Sequence, residues 1–228
     1  VNYETVLTTD ADMAILPQRF AYMVEEFAAI DIPAIVILTS KESYDTIRNA
    51  YRMDELITRH GEIMNRYDPQ KRISLVVDEW GTWFDVEPGT NPGHLYQQNT
   101  MRDAMVAALS LNIFHKYTGR LKMANIAQIA NVLQSMVLTR KEKMVLTPTY
   151  HVFRMYTCHQ EAELLDSFLE QETIGTQEFQ VPNLQESVSL GTDGKIHITM
   201  NNLSVTLEAV CMSNASVTKS CTHCNDKV

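Results

Sequence analysis

Residues 73–83 read Ile73-Ser74-Leu75-Val76-Val77-Asp78-Glu79-Trp80-Gly81-Thr82-Trp83. The first five residues are nearly all apolar, which is typical of a strand buried on both faces of a parallel sheet. Directly after this strand come two adjacent carboxylates and the two tryptophans of the chain. In α/β barrels, side chains at the carboxyl ends of the strands form the active site. The run therefore predicts an α/β fold with functional residues that begin at Asp78.

Helical and strand patterns alternate on both sides of this run. A strand-length apolar run covers Ile32–Leu38. A helical pattern covers Glu42–Tyr67 and stops at Asp68-Pro69, because proline disfavours the helical conformation in the residue before it. A deeply packed helix is predicted at Leu95–His115 and a strand at Leu121–Ala124. This order predicts βαβ units with a parallel sheet.

Two further helices are predicted outside this central region. A short amphipathic pattern covers Ala21–Ala29, and a longer helical pattern runs from residue 147 to about residue 172. Thr147-Pro148-Thr149-Tyr150 is read as the turn into the longer helix. Its predicted buried stripe consists of Val152, Met155, Tyr156, His159, Ala162 and Leu165.

The pattern changes from helix to strand near Val181. Ser187–Leu190 and Lys195–Met200 flank the tight turn Gly191–Gly194, and the second run alternates with a period of two residues. Such a pair predicts a β-hairpin. Ser204–Leu207 is read as a further strand, so a β-rich module begins near Val181.

The composition excludes several classes of protein. The net charge is −9 and the pI is about 5.2, which argues against binding to nucleic acid or to an anionic membrane. No apolar run reaches the roughly 18–20 residues of a membrane-spanning helix. Four cysteines in 228 residues do not make a disulfide scaffold. The chain begins at Val1 without a signal peptide, and because the natural N-terminus is expected upstream, the compartment stays open.

The residues after Val77 favour a sugar as ligand. An indole ring stacks on the apolar face of a sugar, and a neighbouring carboxylate can act at the anomeric carbon. The alternative is that the acidic pair Asp78-Glu79 only caps the next turn. Amides in Leu95–Ala104 and Met123–Gln134 would bind sugar hydroxyls, although for most of them a bond to loop backbone is the better interpretation.

Four blocks of the sequence identify a family. They are Val77–Trp83, Leu95–Ala104, Met123–Gln134 and Leu146–Phe153. In this order and spacing they closely resemble the C-terminal half of the α-L-arabinofuranosidases of glycoside hydrolase family 51, from about residue 42 to about residue 200. The resemblance implies a partial (β/α)₈ TIM barrel at residues 1–175, with residues 1–41 poorly matched. It also implies the start of an all-β sandwich at residues 176–210 and an unassigned tail at residues 211–228.

The resemblance also implies an activity, namely retaining hydrolysis of non-reducing terminal α-L-arabinofuranosyl residues from arabinose-containing oligo- and polysaccharides. By position, Glu79 matches the catalytic nucleophile at the end of the seventh strand. Trp83 matches an aromatic residue that lines the sugar site, and Gln128 matches a side chain that hydrogen-bonds the arabinose. Glu79 must be ionised to attack, so hydrogen-bond donors are expected around it. The resemblance implies no metal or organic cofactor, and it allows a homo-oligomer for the complete enzyme.

Departures from the family indicate what this chain lacks. The family's acid/base glutamate follows an asparagine on the fourth strand, and no Asn-Glu pair occurs in this sequence. The turn Thr118-Gly119-Arg120 also departs, because an acidic residue is expected before the arginine. We therefore expect an internal or C-terminal piece of an arabinofuranosidase, inactive and aggregation-prone by itself.

Two other interpretations stay open. A non-catalytic carbohydrate-binding or interaction module would keep Trp80 and Trp83 as stacking platforms. Cys221-Thr222-His223-Cys224 has the spacing of half a zinc site, for which Cys211 or His197 would supply further ligands; the opposing interpretation is a disordered tail. The histidines within helical patterns are assigned to the core or the surface rather than to catalysis: His115, His151 and His159.

Overall fold

A computed structural model describes residues 14–17, 34–37, 41–175 and 180–203. The helix predicted at Ala21–Ala29, the strand predicted at Ser204–Leu207 and the cysteine-containing tail lie outside the described residues. The first two strands, β1 (Ala14–Pro17) and β2 (Ala34–Ile37), pair in parallel. β2 confirms a strand within the apolar run at residues 32–38.

A βαβ unit forms the centre of the described chain. The long helix α1 (Lys41–Tyr67) precedes β3 (Leu75–Trp80), which is followed by α2 (Met101–Lys116) and β4 (Leu121–Ile126). β3 and β4 pair in parallel. The helix that stops before Asp68, both strands and the parallel pairing are confirmed, and so is the mixed α/β class.

One face of this parallel pair is open, contrary to the prediction. Val76 is 44% exposed and Met123, its partner on β4, is 55% exposed, while Ile73 is 64% exposed just before β3. Leu75, Val77, Ala124 and Ile126 on the other face pack against the core. The apolar run does form a strand, but only one of its faces is covered by the described residues.

The helix α2 begins six residues later than predicted. Leu95 has a positive φ of 49°, which takes the chain out of the helical conformation. A capping box then starts the helix: Thr100 is the N-cap, and the Asp103 carboxylate accepts a hydrogen bond from the Thr100 backbone N–H at 2.7 Å. The polar residues between Leu95 and Thr100 are therefore free to bond elsewhere.

The hydrophobic core surrounds α2, as its apolar sequence predicts. Leu109, Ile113 and Phe114 of α2 are buried with Leu121 of β4 and with Ile57 of α1. Nearly every position from residue 103 to residue 114 is buried. This helix therefore holds α1, the sheet and the following helix together.

A buried arginine ties the end of α1 to the sheet. The Arg120 guanidinium donates to Asn65 Oδ1 at 2.8 and 3.2 Å, to Asp68 Oδ2 at 3.2 Å and to the Ile73 carbonyl at 2.9 Å. Hydrogen bonds from the Ile73 backbone and from Arg120 keep the pKa of the Asp68 carboxyl below its usual value. The partner carboxylate of Arg120 therefore comes from the end of α1 and not from the preceding residue.

The segment after β4 contains a hairpin that the sequence patterns did not predict. β5 (Val137–Arg140) and β6 (Lys143–Leu146) pair antiparallel around the turn at residues 141–142. α3 (Pro148–Tyr156) follows with Thr147 as its N-cap, so residues 148–150 belong to the helix and not to the predicted turn before it.

The prediction of a helix as far as residue 172 is wrong. α3 ends at Tyr156, one 3-10 turn follows, and β7 (Glu163–Leu164) comes next. Val152, Tyr156, His159 and Ala162 of the predicted stripe are buried, but Met155 is 61% exposed. Leu165 is half-buried, and His159 and Ala162 lie beyond the end of α3, so the stripe is not the face of a single helix.

The C-terminal hairpin is confirmed. After β8 (Thr173–Gly175) and β9 (Gln180–Pro182), β10 (Leu184–Leu190) pairs antiparallel with β11 (Ile196–Asn202), with Leu190 opposite Ile196. β7 adds to the other edge of β10, which gives a three-stranded sheet in the order β11-β10-β7. β7 precedes the boundary predicted at residue 175, and that division into domains stays a prediction.

A pair of histidines joins α2 and the 3-10 turn after α3 to this sheet. His115 Nδ1 lies 2.7 Å from Ser187 Oγ, and His159 lies 2.7 Å from Ser189 Oγ and 3.0 Å from Thr199 Oγ1. Burial, with a smaller contribution from His159, lowers the pKa of His115 to about 4. These contacts agree with a core assignment for both residues, whereas His151 is exposed. Among the described helices, none combines the length and apolar character needed to cross a membrane.

Candidate active site

A bulge places Glu79 at the carboxyl end of β3. Val77 is opposite Ala124 and Trp80 is opposite Ile126, so Asp78 and Glu79 together oppose a single residue of β4. A bulge of this kind adds twist and changes the direction of side chains at the end of a strand. Both carboxylates are exposed.

Glu79 projects from the open face of the β3–β4 sheet. Trp80 and its partner Ile126 both pack into the core on the covered face. Since neighbouring side chains of a strand point to opposite faces, Glu79 and Asn125 lie on the other face, with Val76 and Met123. Within the described part of the chain, no hydrogen-bond donor reaches the Glu79 carboxylate, so the predicted surrounding donors stay a prediction.

The two tryptophans take different positions. Trp80 is 5% exposed and packs edge-on against Phe114 and face to face with Phe153, at ring-centre distances of 5.3 and 6.1 Å. Trp83 is 62% exposed in the loop after β3. Trp80 is therefore a core residue and cannot stack on a sugar, which corrects one half of the carbohydrate-binding alternative. Trp83 remains available for that role.

Buried polar side chains hold the loop that follows Glu79. Thr82 donates through Oγ1 to Asp103 Oδ1 at 2.6 Å, and its backbone N–H donates to Gln134 Oε1 at 2.9 Å. Gln134 Nε2 donates to the Asp103 carbonyl at 2.6 Å and to Thr149 Oγ1 at 3.2 Å. Gln97 joins them with a bond from Nε2 to the Thr82 carbonyl at 3.3 Å. The loop is thus fixed to the starts of both α2 and α3.

Gly81 lets this network approach the strand end. Its φ of 140° is strained for any other residue, and a Cβ there would lie 3.3 Å from Gln134 Oε1 and 3.4 Å from the Ala127 carbonyl. A side chain at position 81 would displace the amide that receives the Thr82 N–H. The glycine is therefore part of the arrangement that fixes the residues after Glu79.

Gln128 lies two residues after β4, where it is exposed. Its carbonyl accepts a hydrogen bond from the Met136 N–H at 3.2 Å. Together with the loop at residues 90–96 and the β5–β6 hairpin, it lines an open cleft of about 1100 Å³. Glu79 and Trp83 do not line this cleft. The structure therefore puts all three predicted site residues near the carboxyl ends of β3 and β4, but only Gln128 in the cleft.

The amide side chains mostly bond to the protein itself, as expected. Gln97 and Gln134 are buried in the loop network, and Asn99 Nδ2 donates to the Leu133 carbonyl at 3.2 Å. The patterns missed the Thr82–Asp103 bond, because its two residues are 21 positions apart and belong to separate elements. A signal was present in the sequence: Thr100 and Asp103 have the spacing of a helix cap.

Metal binding finds no support among the described residues, where no group of three or more potential ligands comes together. His197 instead lies 3.1 Å from Asp193 Oδ1 in the turn of the C-terminal hairpin. The other proposed zinc ligands, Cys211, Cys221, His223 and Cys224, lie outside the described residues.

Comparison with known proteins gives consistent results. The family model for the "Alpha-L-arabinofuranosidase C-terminal domain" matches residues 78–227. An intracellular exo-alpha-L-arabinofuranosidase of Bacteroides ovatus is 53% identical over 161 residues, which is 70% of this chain and 31% of that protein. A probable alpha-L-arabinofuranosidase C of Aspergillus flavus is 26% identical over 83% of this chain and 40% of its own length.

Solved structures resemble the chain in the same way. The crystal structure of the GH51 arabinofuranosidase from Xanthomonas axonopodis pv. citri matches with a TM-score of 0.70 and 39% identity, over 88% of this chain and 46% of that one. The alpha-L-arabinofuranosidase of Thermotoga maritima, solved as an arabinose complex, matches in fold with a TM-score of 0.60 and 21% identity. The match covers 82% of this chain and 42% of that one. The chain thus spans less than half the length of each of these proteins.

Proposed function

Because the chain belongs to the α-L-arabinofuranosidases of glycoside hydrolase family 51, we propose that the complete protein is a retaining arabinofuranosidase with Glu79 as its nucleophile. Its substrates are oligo- and polysaccharides with non-reducing terminal α-L-arabinofuranosyl residues. The observation that carries the proposal is the position of Glu79. It is an exposed carboxylate in a bulge at the carboxyl end of a parallel strand, next to an anchored loop.

The chemistry follows from two carboxyl groups. A Glu79 oxygen attacks C1 of the arabinose, and the bond from C1 to the aglycone oxygen breaks as a carboxylic acid gives that oxygen its proton. Water then attacks C1 of the glycosyl-enzyme, the second carboxyl takes the water's proton, and Glu79 leaves as a carboxylate. The second group has to lie about 5–5.5 Å from Glu79. We assign it to the part of the complete enzyme outside this chain, which spans only 31% of the Bacteroides relative.

The same proposal explains the open face of the sheet. We assign β3 and β4 to the last two strands of a (β/α)₈ barrel, with α1 and α2 in its outer layer. In a barrel, the face opposite the helices points to the filled interior, so Val76 and Met123 would be covered by other strands. The three-stranded sheet that contains the β10–β11 hairpin would belong to the C-terminal sandwich.

Trp83 and Gln128 complete the proposed sugar site. Trp83 exposes an indole face in the loop that the Thr82 bonds hold in place, so it can stack on the apolar face of the arabinose. Gln128 offers an amide at the end of the neighbouring strand, where it can bond sugar hydroxyls as donor and acceptor. Neither role needs a metal or an organic cofactor.

Trapping the covalent intermediate tests the nucleophile. A 2-fluoro arabinofuranosyl inhibitor with a good leaving group should label the complete enzyme, and mass spectrometry of its peptides should place the sugar on Glu79. Glu79→Gln should abolish the label and reduce kcat by several orders of magnitude while the fold is retained. A label on any other residue would refute the assignment.

Asp78→Asn is the matched control, because it removes the adjacent exposed carboxylate of the same bulge. It should keep most of the activity and all of the labelling. The isolated chain, which lacks the assigned acid/base, should not turn over an aryl α-L-arabinofuranoside. Turnover by the isolated chain that disappears in Glu79→Ala would contradict that expectation.

A further inference from the structure

The cleft beside Gln128 is positively charged in an acidic protein. The sequence has 28 acidic and 19 basic residues. Yet the described residues that line the cleft include Arg140 and Lys143 and no aspartate or glutamate. Binding of neutral sugar hydroxyls does not by itself require basic residues without acidic ones. Clefts lined by one sign of charge concentrate ligands of the opposite sign.

The two cations are arranged unfavourably for the hairpin itself. Arg140 and Lys143 are direct partners across the two-residue turn that joins β5 and β6. Like charges that face each other on neighbouring strands destabilise a hairpin. Both side chains are exposed, and no carboxylate among the described residues forms an ion pair with either. An anion held between them would remove this repulsion.

The cleft is also built to hold its shape. Asn131 donates through Nδ2 to Thr139 Oγ1 at 2.8 Å and accepts from the Thr139 backbone N–H at 2.7 Å, which fixes the hairpin next to Arg140. The half-buried Tyr96 also lines the cleft. Tyrosine offers an apolar face to a sugar ring and a hydroxyl to its rim.

We propose that this cleft binds a uronic acid of the substrate's aglycone, with the carboxylate at Arg140 and Lys143 and the sugar ring against Tyr96. The inference rests on the proposed function, because Gln128, which lines the cleft, is also assigned to the arabinose site. The complete enzyme therefore prefers arabinofuranosyl groups attached to acidic oligosaccharides over those attached to neutral ones.

Two matched substrates test this preference. Arabinofuranosyl-digalacturonate and arabinofuranosyl-digalactose differ only in carboxylate against hydroxymethyl groups. We expect kcat/KM of the complete enzyme to be about three- to tenfold higher for the acidic substrate, the range that two partly exposed ion pairs supply. In Arg140→Gln/Lys143→Gln the ratio should fall to about one, with kcat/KM for the neutral substrate unchanged. Raising the salt to 0.5 M should reduce the wild-type ratio as well.

Lys141→Gln is the control, because Lys141 lies in the same turn but does not line the cleft. It removes one positive charge and should leave the ratio near the wild-type value. Equal rates for both substrates in the wild type, or a preference that survives the double substitution, would overturn the inference. Stronger inhibition of the acidic substrate's hydrolysis by inorganic phosphate than by digalacturonate would also overturn the inference. The cleft would then be a phosphate site.

Failure of the proposed function gives a different result. In that case neither substrate is hydrolysed, and calorimetric titration with digalacturonate and digalactose still tests the cleft. Tighter binding of digalacturonate that is lost in the double variant supports the inference. Equal binding of the two ligands refutes it.

Discussion

Gln134 should hold the loop beside the nucleophile, and its removal has a calculable effect. It is completely buried and makes three hydrogen bonds, one from the Thr82 N–H and one each to the Asp103 carbonyl and Thr149 Oγ1. Gln134→Met keeps the length of the side chain and removes all three bonds. Each bond contributes about 1 kcal/mol net, and a buried group left unpaired costs about 1–3 kcal/mol. The free energy of local opening at Thr82 should therefore fall by about 3 kcal/mol.

Hydrogen exchange measures this change directly at the affected amide. A fall of about 3 kcal/mol corresponds to roughly hundredfold faster exchange of the Thr82 N–H. Gln98→Met is the matched control, because Gln98 is exposed and its side chain makes no hydrogen bond within the described residues. It should leave the exchange at Thr82 unchanged. Because the loop carries Trp83 and follows Glu79, kcat should also fall by about 10–100-fold in Gln134→Met.

The conservative variant Gln134→Glu removes only part of the hydrogen bonding of Gln134. Burial without a cation partner keeps the glutamate protonated, so it can still accept from the Thr82 N–H and donate to the Asp103 carbonyl, but it loses the bond to Thr149. Its exchange rate at Thr82 should therefore lie between those of wild type and Gln134→Met. Exchange at Thr82 within threefold of wild type in a folded Gln134→Met would refute the role given to this side chain, and so would a Gln134→Glu variant that exchanges faster than Gln134→Met.

Three further predictions concern the fold and the site. Burial lowers the pKa of His115 from 6.5 to about 4, so His115 is neutral in the folded protein. Below pH 6.5 the unfolded chain takes up a proton that the folded protein does not, so the free energy of unfolding falls as the pH is lowered from 6.5 toward 4. The loss is on the order of 3 kcal/mol, and His115→Gln should flatten the fall of Tm over this range while His151→Gln leaves it as in wild type. Arg120→Lys cannot bond Asn65, Asp68 and Ile73 together and should lower Tm in calorimetry by several degrees; an unchanged Tm would contradict the described clamp. Trp80→Ala should cost about 3–5 kcal/mol of unfolding free energy through the cavity it leaves, whereas Trp83→Ala should keep the fold and raise KM; the reverse pattern in denaturation and kinetics would contradict both assignments.

The sequence alone was sufficient for several local elements and for the family. Helical spacing and the Asp68-Pro69 stop defined α1, a nearly continuous apolar run defined β3, and a Gly-rich turn defined the β10–β11 hairpin, because each depends on residues close together in the chain. The four sequence blocks pointed to the arabinofuranosidases, which the family model and the 39% identical crystal structure confirm. The predicted end of the helix after Thr147 failed, because burial at His159 and Ala162 comes from a turn and not from helical periodicity.

Tertiary structure alone decided how the residues of the candidate site are used. Trp80 and Trp83 are indistinguishable as sequence signals, yet contacts with Phe114 and Phe153 bury one and leave the other exposed. The bulge at Glu79 exists only as a register difference between two strands about 45 residues apart in the chain. The Thr82, Asp103 and Gln134 bonds likewise join distant segments. Periodicity reports only which face of its own element a residue occupies, whereas burial and hydrogen bonding depend on which other element comes to cover that face.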